Sequence, residues 1–273
     1  PSPHLASSVI AAGALMAGGS DAQKKVWLEA IASGKTILIP AWLEPDRSSG
    51  PDGVSLPAIP DGNDMILNGA KRHVHFASSA NRLVVLTRGS EGIGLFLVDP
   101  RATGVNLTQQ FSVASDTQYR VDFDGVRIPN TDRVGELGAG WKIWETAMID
   151  AMVLVAAQAV GAAKAVHSLA NDYAKERYQF DKPIGSFQSL SHYLADADTA
   201  IEGARVLVYQ AAWARDTGHD LEQLAPMAKL FATSTFRDAS AMALQIHGGL
   251  GFTVACDAQL YFRRAKSWQL NWF

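Results

Sequence analysis

The run QIHGGLGF, Gln245 to Phe252, places two adjacent glycines and a third at Gly251 after a long Ala-rich helical stretch. With no Cβ, Gly248 and Gly249 let a phosphate or ribose approach backbone N–H groups closely. Gln245 can satisfy both donors and acceptors on such a ligand. Further upstream, Arg177 offers a planar fork of donors suited to a pyrophosphate, and Phe180 and Ile184 can wall the same ligand. Plainer readings stand beside these. A glycine just past a helix commonly does no more than end it, and a cation at a helix end commonly answers the helix dipole in solvent. His73 and His75 alternate to one face of a strand, which suits a metal pair, although no third ligand is apparent. Asp150 is a weak candidate base against a plain reading as a solvated or capping carboxylate. His192 and His247 lie inside the motif stretches and either touch a ligand or satisfy helix ends.

These residues depend on elements that the sequence outlines. Ala6 to Ala17 and Asp21 to Ile31 read as short helices, the second opened by Ser20 and Asp21 and closed at Gly34. Residues 36–42, 65–76, 82–87, 94–98 and 119–127 are short β-branched or aromatic segments punctuated by Gly, Pro, Asn and Asp, the mark of a β block. The loop RSSGPDG, Arg47 to Gly53, lies inside it. Beyond GELGAGW, Gly135 to Trp141, the strands stop. Long helices are expected over Ala147–Arg177, Phe187–Thr217, Leu221–His247 and Val254–Lys266. Leu190, Leu194, Ala197, Ile201, Ala204, Val208 and Ala211 draw one apolar stripe on the second. The expected class is α+β: residues 1–35 helical, 36–135 a β domain, and 136–273 a helical bundle whose small residues let backbones approach.

Composition narrows the function classes. With 273 residues, 48% of them hydrophobic, the chain can bury a sizeable core. A net charge of -3 and no basic run give no reason to bind nucleic acid or an anionic membrane. The single cysteine, Cys256, excludes an internal disulfide, reads as a small buried residue and fits a reducing cytoplasm. Asp150, Gln158, Lys164 and His167 interrupt the most apolar stretch, Ala147 to Ala170, so no membrane span is expected there. No signal peptide is visible.

Two stretches carry a family resemblance. RYQFDKPIGSFQSLSHYLADAD, Arg177 to Asp198, and QIHGGLGF followed by LYFRRAK, Leu260 to Lys266, resemble the acyl-CoA dehydrogenase family. GSDAQKKVWLEAIASGKT, LEP at Leu43 to Pro45, LNGAK at Leu67 to Lys71, and FDGVRIPNTDRVGELGAGW extend the likeness over the whole chain. The resemblance implies that family's fold, with part of an N-terminal helical domain, a β-barrel-like middle domain and a C-terminal four-helix bundle. It implies FAD as cofactor and an acyl-CoA thioester as substrate, which loses a proton from its α-carbon to a carboxylate and a hydride from its β-carbon to the flavin. In the family the flavin ring lies between β domain and bundle of one subunit, while a neighbour grips the ADP half. Here that grip falls to Arg177, Phe180, Ile184, Gln188, Gln245, Gly248 and Gly249.

The sequence also departs from the family. The usual glutamate base after the fourth bundle helix is matched by Trp272, and the alternative position on the first bundle helix by Ala151. The threonine before E-P is Leu43, and the aromatic and hydroxyl residues that meet the flavin ring are His73 and His75. Asp150 lies one step from the helical base position, which turns it about 100° around the helix. A composite site accounts for losses and retentions together: a second acyl-CoA dehydrogenase subunit in an α2β2 assembly, as in bacterial enzymes of steroid side-chain catabolism, supplies base and ring site. A homotetramer with a relocated base and a non-enzymatic scaffold are the alternatives. Electron-transfer flavoprotein is the expected acceptor. Relative to the family, a first stretch and a final helix are expected to be missing.

Overall fold

The computed structural model describes residues 2–271. Its internal contacts divide the chain into two compact units, Pro1–Ala151 and Met152–Phe273.

In the first unit, a π-helical turn over Leu5–Ala11 runs into α1, Ala12–Gly18, and then α2, Asp21–Ala32. Ser20 and Gln23 close a reciprocal capping box on α2, each side chain taking the other's backbone N–H. Gly34 follows the last turn with φ +71°, a conformation that glycine adopts without penalty.

Seven strands follow: β1 Leu38–Ala41, β2 Ala58–Asp61, β3 Asp64–His75, β4 Arg82–Gly89, β5 Gly92–Val98, β6 Val105–Gln110 and β7 Gln118–Pro129. They form two sheets, ordered β1-β4-β5 and β2-β3-β7-β6, with no closed barrel among the described residues. β4 and β5 are buried almost continuously, and their runs LVVLT and IGLFLV accordingly lack alternation. β7 instead alternates buried and exposed residues over much of its length, as a strand with one face on the core does.

β2 and β6 were not expected from the sequence. Both are edge strands. β2 carries Pro60, tolerated only where a backbone donor is not needed by a neighbour, and the VNLTQQ of β6 is too polar to resemble a core strand.

The second unit is built on long helices. α3, Gly140–Glu176, begins in the first unit and continues into the second. α4 spans Gln188–Thr217, α5 Leu224–His247 and α6 Ala258–Leu270. Of the expected α4 stripe, Leu194, Ile201, Ala204 and Ala211 are buried and the others half-buried. His167 meets the Leu194 carbonyl at 3.0 Å, and Lys164 pairs with Asp198 at 2.6 Å, tying α3 to α4. Cys256 is buried and unpaired.

α3 corrects one expectation. By length and composition it is apolar enough to cross a membrane, because its few charges are spaced along 37 residues; half of its most apolar window is buried within the fold.

Candidate functional site

The second unit gathers the ligand-binding candidates at helix ends. After α3, the Arg177 carbonyl accepts from Ile184 N–H at 2.8 Å, closing a small hairpin, β8 Tyr178–Gln179 and β9 Lys182–Pro183. Its turn residues, Phe180 and Asp181, have φ of +55° and +62°. A two-residue hairpin turn with both φ positive matches strand twist but usually recruits Asn or Gly. Here an aromatic is held in that conformation, and Phe180 stands 86% exposed at the tip. Phe187 packs edge-on against it at 6.1 Å and lies under the Lys182 ammonium at 4.1 Å.

The chain then enters the 30-residue α4 at Gln188 with no side-chain cap, and the Phe187 carbonyl takes the N–H groups of Leu190 and Ser191. Such an end attracts anions through its open N–H groups and its dipole. Arg177 and Gln188 are exposed and Ile184 half-buried.

α5 ends at Gly248, whose φ of 60° and ψ of -138° define a region that side-chain-bearing residues rarely enter. Its N–H reaches back to Gln245 and Leu244 carbonyls, so it does terminate the helix. A Cβ at Gly248 or Gly249 would meet nothing within 4 Å, whereas at Gly251 it would lie 2.9 Å from the Leu244 carbonyl. Gly251 is therefore needed for packing, and the adjacent pair presents bare backbone outward. Gln245 is exposed on the last turn of α5.

One contact joins these two groups. Tyr173, a turn before Arg177, stacks on His247 at 4.5 Å and 22°. His247 is buried and bonds the Ala243 carbonyl at 2.8 Å, so it is the structural bracket between the ends of α3 and α5 rather than an open ligand contact. His192 is exposed. The bare glycine backbone, uncapped helix start, exposed Arg177 and exposed aromatic together fit a phosphate-bearing ligand with a flat ring system.

The first unit holds the other candidates. β3 slips register against β7 between Lys71 and Val74, and His73 has φ +52° in that bulge. The regular alternation expected for His73 and His75 therefore fails. Each ring is tied separately: His73 Nδ1 donates to Gln118 Oε1 at 2.8 Å, and His75 Nδ1 lies 3.1 Å from Asp116. Gln118 in turn donates to Asp116 at 2.8 Å. Burial pushes the Asp116 carboxyl up, but hydrogen bonds led by that from His75 outweigh it and hold the group well below the usual carboxylate range. An ionised Asp116 fixes the Gln118 amide with its oxygen toward His73. No three-residue metal-binding cluster exists among the described residues.

Leu43 is half-buried and its carbonyl accepts from Arg72 N–H at 2.9 Å. Beside it the structure reveals an ion pair that the sequence reading missed. Lys71, wholly buried, meets Glu44 at 2.7 Å and the Trp42 carbonyl at 3.2 Å. Glu44 also accepts from both the backbone and hydroxyl of Ser55 and from Leu56 N–H. Burial pushes Lys71 down to about 8 despite the adjacent carboxylate. Burial pushes Glu44 up, while the Lys71 charge and the hydrogen bonds hold it below its ordinary value. A lysine within a strand of the β block and an acid two residues after Trp42 were the available signals.

On α3, Ala151 is fully buried and Asp150 half-buried and engaged within the fold. Trp272 lies outside the described residues.

Comparison with known proteins fits this arrangement of sheets followed by long helices. The sequence profile of the "Acyl-CoA dehydrogenase, C-terminal domain" matches residues 138–270. The caffeyl-CoA reductase-Etf complex subunit CarC of Acetobacterium woodii is 32% identical over 265 residues, covering 94% of this chain and 70% of that protein. Butyryl-CoA dehydrogenase from Megasphaera elsdenii superposes with a TM-score of 0.92 at 29% identity, over 98% of this chain and 72% of that one. The ChsE4-ChsE5 complex from Mycobacterium tuberculosis gives 0.88 at 26% identity, over 99% and 71%. The fold is that of the acyl-CoA dehydrogenases. The chain belongs to the acyl-CoA dehydrogenase family, a family of flavoprotein oxidoreductases.

Proposed function

We propose that this chain is a subunit of a flavin-dependent acyl-CoA dehydrogenase, and that it grips the ADP half of FAD without contributing the family's carboxylate base. The observation that carries this reading is the outward-facing group at the ends of α3 and α5 and the start of α4. Arg177 and the open amides of α4 suit the pyrophosphate. Gly248 and Gly249 admit the ribose and phosphates to backbone N–H groups. Gln245 and Gln188 bond the cofactor's polar edges, and Phe180 with Ile184 supplies an apolar wall.

FAD, when bound, accepts the hydride that leaves the β-carbon of the acyl thioester. The accompanying α-proton needs a base, and the helical base position holds the buried, inert Ala151. Asp150 lies one residue and about 100° away on the helix. A second subunit of the same family therefore completes the site, giving an α2β2 assembly. The heteromeric ChsE4-ChsE5 neighbour supports that assembly, and the resemblance to its branch supports a steroid side-chain CoA thioester as substrate class. A relative named as part of an Etf complex supports electron-transfer flavoprotein as acceptor. The lone buried Cys256 supports a cytoplasmic setting.

The test uses the chain co-purified with an acyl-CoA dehydrogenase subunit encoded beside it. Arg177→Ala lowers the flavin content of the complex, and Asp150→Ala leaves turnover nearly intact. A large loss of activity from Asp150→Ala with flavin retained would overturn the assignment of the base to the partner.

A further inference from the structure

A strand at a sheet edge offers unpaired backbone groups to any other chain, and folded proteins cover or guard such edges. The two sheets of the first unit end in β1, β5, β2 and β6. Three of these edges are dealt with inside the chain. β1 is buried throughout and packs against the π-helical turn, whose Ser7 hydroxyl accepts from Leu38 N–H at 3.1 Å. β5 is covered by the segment that leads into α3: Val134 N–H bonds the Leu95 carbonyl at 2.8 Å, and Ile93 and Phe96 bridge to Ala139 and Arg133. β2 is guarded by Pro60 and by Asp61, which Arg127 holds.

β6 has none of these devices. Its sequence VNLTQQ contains no charge and no proline, and among the described residues it pairs with β7 alone. Asp124 N–H bonds the Gly104 carbonyl at 2.9 Å, in the register that sets Asn106 against Asp122 and Thr108 against Arg120. Alternation along an antiparallel ladder therefore turns the backbone groups of Asn106, Thr108 and Gln110 toward β7, and those of Leu107 and Gln109 outward. Val105 N–H is taken by the Ala102 carbonyl at 3.1 Å. Leu107 and Gln109 thus each offer a donor and an acceptor at a bare edge.

The chain just beyond β6 is firmly held. Phe111 stands 96% exposed at the start of a loop that is pinned along its length. The Gln110 side chain accepts from His73 N–H at 3.1 Å, Phe76 N–H bonds the Thr117 carbonyl at 2.9 Å, and Asp116 holds both Gln118 and His75. His73, Phe76 and Ser115 take left-handed φ of 52°, 54° and 56° in this one corner. Such strain persists only where the surroundings over-determine the backbone. An aromatic ring presented from a corner this rigid suits the anchor of an interface.

The pattern of the strand selects its occupant. Antiparallel pairing of two β6 strands about a two-fold axis through Thr108 sets Leu107 of one chain against Gln109 of the other, so each such pair exchanges two backbone bonds. Thr108 then faces its own copy, a favourable cross-strand pair, and the exposed Phe111 faces the half-buried Val105 of the other chain. With no charge on the strand, nothing repels in that register, and no charged side chain selects a strand of other composition. We infer that β6 is the docking strand for a second copy of this chain, joined antiparallel at Thr108 so that two four-stranded sheets continue as one. A single strand pair falls below the roughly 1,200 Å² of a standard interface, so the contact is reversible between free chains and stronger where an assembly already holds two copies close. It involves the first unit only and does not depend on flavin or substrate.

The experiment is oxidative cross-linking of the full chain in a Cys256→Ser background, by itself and in the co-purified assembly. Facing residues of a non-hydrogen-bonded antiparallel pair have Cα atoms about 4.5 Å apart, within disulfide reach. Thr108→Cys is therefore expected to give a disulfide-linked dimer of this chain. Asn106→Cys, also exposed, puts its two thiols roughly 14 Å apart along the paired strands and is expected to cross-link at least about tenfold less. Gln109→Pro removes an outward donor without touching the bonds to β7, so it abolishes the Thr108→Cys cross-link and leaves the melting temperature of the dilute chain unchanged. If Gln109→Pro melts lower, the contrast between the two cysteine variants decides alone. Failure of Thr108→Cys to cross-link in both settings means that another strand or none occupies the edge, and overturns the inference. Equal cross-linking of the two cysteine variants, or a cross-link that survives a well-folded Gln109→Pro, overturns it as well.

Discussion

Replacing Lys71 by Met isolates the energetic role of the buried ion pair under the loop that follows β1. Lys71 is 0% exposed and Glu44 5% exposed, so the substitution leaves a carboxylate in the interior without its cation. Breaking a buried pair by removing one partner costs about 3–5 kcal/mol. Glu44 keeps its three bonds from Ser55 and Leu56, which places Lys71→Met near the lower end, about 3 kcal/mol. Glu44→Gln keeps an amide oxygen to accept from Lys71 but removes the negative charge, so the buried ammonium is left uncompensated and the cost falls near the upper end, about 5 kcal/mol, at pH 7.

The two variants separate further with pH. Lys71 already titrates at about 8 in the folded chain against 10.5 unfolded. Between those values the unfolded state holds more protons than the folded one, so stability from this group rises with pH. Removing the Glu44 charge lowers the folded value further, so the Glu44→Gln penalty shrinks between pH 7 and pH 9 while that of Lys71→Met does not. Urea unfolding followed by fluorescence of the Trp42–Trp144 pair, in ring contact at 5.4 Å, reports this unit. With m of about 1–3 kcal/mol/M, a loss of about 3 kcal/mol lowers the midpoint by about 1–3 M. A Lys71→Met midpoint within 0.3 M or so of the parent, or a Glu44→Gln penalty that grows with pH, would refute the reasoning.

Other substitutions test local geometry. Gly248→Ala forces a side chain into φ 60°, ψ -138° and costs about 1–3 kcal/mol in thermal unfolding, while Gly249→Ala, facing open space, stays within about 0.5 kcal/mol yet reduces flavin retention. Equal melting temperatures for the two would count against the strain. Asp181→Gly relieves a positive φ at the hairpin turn and stabilises by up to about 1 kcal/mol, and a lower melting temperature would contradict that. Thr87 is fully buried, its hydroxyl has no hydrogen-bond partner, and it borders a cavity of about 50 Å³ with Met65 and Phe96. Thr87→Val removes that unsatisfied group at nearly constant shape and raises stability by about 1–2 kcal/mol, whereas a loss would mean that solvent bonds the hydroxyl.

The parts of this fold that were legible in the sequence are those governed by a single period. The α4 stripe from Leu194 to Ala211 and the cap at Ser20 follow from helix geometry alone. What stayed hidden depended on tertiary neighbours. β2 and β6 are strands because β3 and β7 offer them edges, and neither Pro60 nor the polar VNLTQQ signals that. His73 and Phe180 adopt left-handed φ without being glycine or asparagine, so the bulge and the hairpin tip left no local mark. The Lys71–Glu44 pair spans 27 positions, and neither residue is unusual by itself. At the proposed grip, the motif located Arg177, Phe180, Gln188 and Gln245, while the Tyr173–His247 stack that holds their elements together emerged only in three dimensions.

Native mass combined with the flavin-to-chain ratio, measured on this chain expressed with an adjacent acyl-CoA dehydrogenase subunit, tests the central claim most directly. A mixed tetramer with one flavin per two chains is the predicted result, and it sends the search for the base to the partner. A homotetramer with one flavin per chain would contradict the account, because Leu43, His73 and His75 would then hold a flavin ring of their own.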